Sequence, residues 1–533
     1  MSLLRLIEMR VITSALVRAI VLSVFVTGIA SCAGQAGGPT LVAERQGVND
    51  EVFTEAYSLI ADRYIEPIPL TQLAMAGVGA LQDIDSAISI ANTGGKVIVR
   101  ANDSVVGEFS TPSGNDATAW GDLTAAVVRT GQRASPGLRQ TDPEKIYEAV
   151  FDGALSNLDR YSRYAGADEA RSERADREGF GGIGIHLSVD DGITRVIAVM
   201  PDTPAAAAGV KDNDIIVSVE GEPIHGLELR DVVRKLRGVV GSLARFSVER
   251  EGVKEPLQFA VRRELIIPTS VIYRRENDIA YVRITRFNQG TARNFREFIA
   301  QAREQMGSRI AGVVLDLRDN PGGLLDQAVA VADALLRNGR IVSTRGRHRG
   351  SFQQYDAAGD DVTDGLPLII LVNRGSASAS EIVAAALQDD GRAVLVGSNS
   401  YGKGVVQSVY RLPNDGELTL TWSRFHAPSG YNLQDLGVMP TICTSKLKGN
   451  AGDLLRAVRE GRSDTAAVLL AWRREALPNE KTRKSLREAC PAAASPSGKE
   501  DRDLEVAKAL LHDRSLYSLA LKQSSVPELA SHD

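Results

Sequence analysis

The chain has 533 residues, 43% of them apolar, and a formal charge of −5. At ~100–200 residues per domain this suggests about three domains, with enough apolar content for real cores. The small acidic balance argues against nucleic acid as a main partner.

Residues 1–31 read as an export signal. Arg5, Arg10 and Arg18 form a positive region, and Ala19 to Ala30 is an uncharged apolar run. The run falls short of the ~20 residues that a spanning helix needs. Ile29-Ala30-Ser31-Cys32 resembles the lipobox of bacterial lipoproteins, with serine where glycine or alanine is more usual. It predicts lipidation of Cys32; the alternative is simple cleavage beside small residues. Residues 32–50 then form a flexible tether. Of the three cysteines, Cys443 and Cys490 remain, and in an oxidising compartment they could pair or stand as isolated buried thiols.

Residues 51–177 read as a helical region. Phe53, Tyr57, Ile60 and Tyr64 fall at helical spacing, as do Ile146, Val150, Leu155 and Leu158 in 143–158. Between them, near 82–142, lies an apparent insertion. Its segments Lys96–Arg100 and Ser104–Phe109 read as two strands around an Asn102-Asp103 turn, followed by polar stretches up to Pro143.

Residues 178–264 form a compact β-rich module. Gly181-Gly182-Ile183-Gly184-Ile185 opens it, and Ile185, Leu187 and Val189 alternate as in a strand. Leu229, Val232, Val233 and Leu236 give one helical stripe. A glycine-rich loop, a following strand and a facing helix make a groove. An extended peptide can add to the strand edge while loop N–H groups hold its terminal carboxylate. The alternative is that these glycines only build a tight turn. The segment resembles a PDZ domain, with Asn213-Asp214 in place of the usual Gly-Asp; asparagine also tolerates a positive φ.

Residues 265–445 alternate strands and helices. Val313–Leu317, Leu368–Val372 and Ala393–Val396 are short apolar runs, as in an α/β layer whose strands are covered on both faces. Chemistry in such sheets sits where strands end. Arg318-Asp319-Asn320-Pro321-Gly322-Gly323 lies at one such end, a turn able to expose N–H groups to an oxyanion, or simply an ordinary turn. The run Gly375 to Ile382 offers Ser376, Ser378 and Ser380 at the start of a helix. Ser378 and Glu381 have capping-box spacing, so Ser378 could merely cap the helix; spacing alone cannot choose a nucleophile among the three. Lys403 stands between Gly402 and Gly404. To act as a base it must be neutral, ~3 units or more below a normal lysine pKa near 10.4, and burial can do this. The alternative is a solvated lysine on a turn. Gln407 would start ~13 Å from Lys403 along a single strand, so contact requires the chain to turn. The six histidines form no paired metal spacing, and His426 reads as structural; no metal and no cofactor are expected.

Over roughly 145–445 the chain resembles the carboxy-terminal processing, or tail-specific, proteases. The PDZ-like module, the Asn-Pro-Gly-Gly turn, the Ser-Ala-Ser-Ala-Ser-Glu-Ile run and Gly-Lys-Gly-x-x-Gln carry the likeness. The resemblance implies Ser378 as nucleophile, Lys403 as general base and Gln407 as its orienting partner. It implies oxyanion donors at the Ala379 amide and at Gly322 or Gly323, on a spiral α/β core of the ClpP/crotonase type. The chain departs from the family at Leu158-Asp159-Arg160-Tyr161-Ser162, where Leu-Asp-Pro-His-Ser is frequent, and at Tyr431 to Gly437. Residues 446–533 read as a helical carboxy-terminal region, with a linker over Cys490–Asp503 and a last helix over Leu504–Gln523. The expected protein is an exported serine endopeptidase on the periplasmic side of a bacterial envelope. Its partners would be polypeptide carboxy termini, a membrane through the lipid anchor, and an envelope adaptor protein; no oligomeric state is implied. The rival readings are an inactive PDZ-containing envelope scaffold and an acyl-CoA enzyme of crotonase type, which would need neither the PDZ-like module nor the Ser–Lys pair.

Overall fold

The computed structural model describes residues 49–446, 450–460, 465–474, 479–494 and 501–524. The export signal, Cys32 and the tether up to residue 48 lie outside the described residues.

The helix Asp50–Arg63 is capped by the Asn49 side chain and buries Val52, Phe53, Ala56, Tyr57 and Ile60. It packs on the helix Ala117–Ala134, which replaces the polar connection expected there. The pattern was present at Trp120, Leu123, Val127 and Val128, diluted by alanine, glycine and threonine. Those small residues serve the contact: a Cβ at Gly121 would stand 2.6 Å from Thr54 Cα, so only glycine lets the helices approach. The apparent insertion therefore supplies nine of the thirty buried residues of the amino-terminal core. Only its meander of β1 (Ile88–Thr93), β2 (Lys96–Ala101) and β3 (Ser104–Ser110) stands apart as a sheet, with Asn102 at φ 51° in the β2–β3 turn. The helix predicted over 143–158 runs Pro143–Leu155. Strand β4 (Arg163–Ala165) and the helix Ala167–Glu178 follow.

The β-rich module contains β5 (Phe180–Gly182), β6 (Ile185–Asp190), β7 (Ile193–Val199), β8 (Ile215–Val219), β9 (Glu222–Pro223), β10 (Leu243–Glu249), β11 (Leu257–Arg262) and β12 (Glu264–Ile266). Its main sheet has the order β11-β10-β8-β7-β6, which leaves β6 as an edge strand. The helix Leu229–Leu236 faces that edge and buries Val232 and Leu236. Asn213 adopts φ 70°, the conformation expected of a glycine substitute, and buried Asp214 pairs with Arg250 at 2.7 Å.

In the α/β region, β13 (Val271–Glu276), β14 (Ile279–Ile284), β15 (Gly312–Asp316), β18 (Leu368–Val372), β19 (Val394–Gly397) and β22 (Ile442–Cys443) form one sheet in that order. Every pairing after β13–β14 is parallel. One face, including Val313, Leu315, Ile370 and Leu395, packs in the large core with the helices Thr291–Met306, Leu325–Asp333 and Ala379–Asp389. The other face, including Tyr281, Val314, Ile369 and Val396, packs against residues 504–520. A second sheet of β16 (Arg340–Arg345), β17 (Gln353–Asp356), β20 (Val405–Arg411) and β21 (Glu417–His426) has the order β17-β16-β21-β20, and β4 joins it on β21. The amino-terminal region is thus tied into the α/β region.

The single last helix expected from sequence is two, Arg502–His512 and Arg514–Ser524. Asp513 breaks them, its carboxylate accepting from Leu516 N and Ser515 Oγ. A buried cluster fastens this end: Arg318 binds Asp316, Asp501 and Asp503 at 2.6–3.2 Å.

Cys443 and Cys490 form a disulfide across 47 residues. Closing a loop of that length is worth about 2–4 kcal/mol through the unfolded chain. Cys443→Ser is expected to lose that stability in thermal melts. Reductant should lower the melting temperature of the parent and leave the variant unmoved.

Candidate active site

Ser378 is the N-cap of the helix Ala379–Asp389, with φ 55° and ψ −115°, a backbone conformation costly for any residue but glycine. It is half-buried and lines a cleft of about 490 Å³ together with Ala379, Gly323, Lys403 and Gln407. The competing serines are fully buried and occupied. Ser376 Oγ donates to Leu317 O at 2.8 Å, and Ser380 Oγ donates to Asn320 O at 3.0 Å. Of the three serines, Ser378 alone lines the cleft.

Lys403 precedes β20 and its Nζ donates to Gln407 Oε1. No helical turn makes this contact. The register of β20 against β21 shifts between Val406 and Gln407, a bulge that re-aims the Gln407 side chain within a strand. Burial is the main cause that lowers the Lys403 pKa, followed by the charge of Arg163; Asp159 and Glu381 oppose it.

The two segments meet on one carboxylate. Glu381, fully buried, accepts from Ser378 N at 2.8 Å and Lys403 N at 2.9 Å on one oxygen, and from Ser400 Oγ at 2.5 Å and Gly402 N at 2.7 Å on the other. Burial pushes its carboxyl above the ordinary glutamate range, against these four bonds. Its capping-box position was legible; its tie to the lysine segment was not.

The Pro-Gly-Gly turn packs directly behind the serine: a Cβ at Gly322 would lie 2.9 Å from Ser378 Cβ. The N–H of Gly322 is taken by Asn320 Oδ1 at 2.9 Å. Those of Ala379 and Gly323 show no partner among the described residues, and both residues line the cleft. Of the two glycines, Gly323 is the available donor.

Tyr161 was missed. Its carbonyl accepts from Gln407 Nε2, and its ring centroid lies 5.2 Å from Lys403 Nζ. Asp159 holds this loop, accepting from Tyr161 N at 2.8 Å and Thr421 Oγ1 at 3.0 Å. Arg160 pairs with Asp435 at 2.9 Å, and Gln434 Oε1 accepts from Gly404 N. The two segments that depart from the family pattern are thus joined to each other beside the lysine. No local pattern could announce a main-chain acceptor 246 residues away. His426 lies on β21, and the cleft lining does not include it.

In the PDZ-like module, Gly182, Ile183, Gly184 and Ile185 line a separate groove of about 380 Å³ with Leu229, Val233 and Leu236. Gly181 sits behind it, paired to β12.

Residues 278–444 match the family model described as Peptidase family S41, and 195–250 match that of the PDZ domain. A carboxy-terminal-processing protease of Bartonella bacilliformis is 42% identical over 303 residues, 56% of this chain and 70% of that protein. The chain belongs to the carboxy-terminal-processing protease family. A carboxyl-terminal-processing protease of Picosynechococcus is 33% identical over 56% of this chain and 72% of its own. Among solved structures, a photosystem II D1 C-terminal processing protease is 23% identical, covering 73% of this chain and 92% of that one, with a TM-score of 0.37. The chain is accordingly a serine peptidase with a PDZ domain.

Glu381→Gln can satisfy only part of the four donors, so it is expected to lose about 2–4 kcal/mol of stability. Ser378→Gly should relieve the positive φ and melt above Ser378→Ala by about 1 kcal/mol. Denaturant titration of the three variants checks both.

Proposed function

We propose that this protease is an exported, lipid-anchored endopeptidase that binds substrate carboxy termini in its PDZ groove and cleaves by a Ser378–Lys403 dyad. One observation carries the reading. A single cleft holds the one serine of the run that is not fully buried, a partly buried lysine fixed by Gln407, and two backbone N–H groups without partners among the described residues.

In this mechanism Ser378 Oγ attacks the scissile carbonyl while neutral Lys403 Nζ takes its proton. The N–H groups of Ala379 and Gly323 hold the oxyanion. Lys403 then gives the proton to the leaving amine, and the acyl-enzyme is hydrolysed by a water that the lysine activates. Gln407, held by the Tyr161 carbonyl, keeps Nζ in place. Upstream, β6 offers an open edge to an extended peptide, and the loop at 181–185 approaches its terminal carboxylate. The disulfide and the leader support delivery to an oxidising envelope compartment, on its periplasmic side.

Ser378→Ala and Lys403→Ala are each expected to reduce peptide cleavage on the order of 10⁴-fold or more, while Ser376→Ala and Ser380→Ala keep substantial activity. A folded but uniformly inactive parent would favour the scaffold reading. A lowered lysine pKa gives more neutral base at a given pH, and kcat/KM should rise with pH until the lysine is deprotonated. A flat profile from about pH 5 to 9 would count against lysine as base.

Cys32→Ala should move the protein from the membrane to the soluble envelope fraction. Unchanged fractionation, or a mass without acyl chains, would remove the anchor from the proposal.

A further inference from the structure

The PDZ groove contains a cation with no ion-pair or hydrogen-bond partner among the described residues. Arg237 follows the groove helix Leu229–Leu236 and lines the groove. Its guanidinium lies 3.7 Å from the centroid of the Phe180 ring. Its Nε is buried without a hydrogen bond, and Arg237 makes no ion pair among the described residues. The charge acting on it most directly belongs to Asp176, whose carboxylate is already taken by Arg286 at 2.5 Å. Burial lowers the Arg237 pKa, which is the signature of a charge lacking compensation.

Its position in the groove is specific. Gly238 N donates to Gly181 O at 3.0 Å, so the end of the helix is stitched to the start of the glycine loop. The stitch is close enough that a Cβ at Gly181 would meet Gly238 O at 2.0 Å. Arg237 is thereby fixed at the loop end of the groove, where β6 begins. A peptide added antiparallel to β6 ends there, with its last side chains over Ile185, Leu187 and Val233. The remaining lining is mostly apolar, and besides Arg237 its one ionisable side chain is His186. A guanidinium with one face on an aromatic ring still presents its N–H edge, and a carboxylate is the group that matches it.

Resting on the proposed reading of this groove as a tail-binding site, we propose that Arg237 is the specificity-determining residue for the substrate's free terminal carboxylate. The loop N–H groups then orient the carboxylate, and Arg237 supplies the charge that separates a true chain end from an internal segment. The Phe180 ring holds the guanidinium flat, so the cation is ordered before the peptide arrives.

The test uses the full-length Ser378→Ala chain, which cannot consume the probe, and a fluorescent apolar-tailed peptide as free acid and as carboxamide. Anisotropy titration should show the acid binding at least about tenfold more tightly than the amide. In the Arg237→Gln background that preference should collapse to within about twofold, through weaker acid binding at unchanged amide affinity. Arg237→Lys, which keeps the charge without the planar fork, should recover part of it. The amide affinity is the control for an intact groove. If Arg237→Gln weakens both peptides equally, or leaves the preference intact, Arg237 only buttresses the groove and the proposal falls while tail binding stands. If the parent binds acid and amide alike, the carboxylate is not read at all and the proposal falls. If the parent binds neither, the tail-binding reading itself is lost and this one with it.

Discussion

One buried carboxylate holds the reactive segments of this protease together. The helix start carrying Ser378 follows β18 and the glycine-flanked loop carrying Lys403 follows its parallel neighbour β19, and the Tyr401 N–Ser376 O backbone bond and Glu381 together align them. Glu381 does so by accepting from both N–H groups on the same oxygen. Its second oxygen fixes Ser400 and Gly402, the approach to the lysine. Buried charge is costly unless every lone pair is engaged. Four donors engage this one, and they leave it little freedom to move. The strained backbone at Ser378 persists because these bonds over-determine it.

The lysine is constrained from a second direction by chain distant in sequence. Gln407 is held by the carbonyl of Tyr161, and the loop carrying Tyr161 is held by Asp159 and by Thr421 of β21. β4 then adds to β21 directly after that loop. The amino-terminal helices are therefore a structural part of the lysine's surroundings. The burial that lowers the Lys403 pKa depends in part on this packing.

The parts readable from sequence are those whose physics is local. Short apolar runs declared β15, β18 and β19 because helices cover both faces of that sheet. Asn213 could be assigned a left-handed turn from its side chain alone. The glycine loop, strand and helix order outlined the groove. The helix Ala117–Ala134 escaped because close packing on Asp50–Arg63 selects alanine and glycine, which dilute the apolar stripe. The Lys403–Gln407 contact was implied by resemblance alone, and the bulge that makes it was not legible because a bulge is a property of two strands. The cysteine pair could not be decided because its partners meet only after β22 and the carboxy-terminal helices have docked. Tyr161 acts through its main chain, so its side chain carried little of the message.

The covering of the β13–β22 sheet has a consequence for the order in which the protein comes into being. Its second face is closed by residues 504–520, some 60 residues beyond the last strand, and Arg318 beside the Pro-Gly-Gly turn receives two of its three carboxylates from Asp501 and Asp503. A chain made amino end first holds Ser378 and Lys403 well before it holds these residues. Until they arrive, Tyr281, Val314, Ile369 and Val396 lack that cover, and the Arg318 cation next to the Pro-Gly-Gly turn lacks two of its three carboxylates. The unfinished polypeptide is thus built with an incomplete sheet, and the proteolytic centre acquires its full support only when synthesis is nearly over.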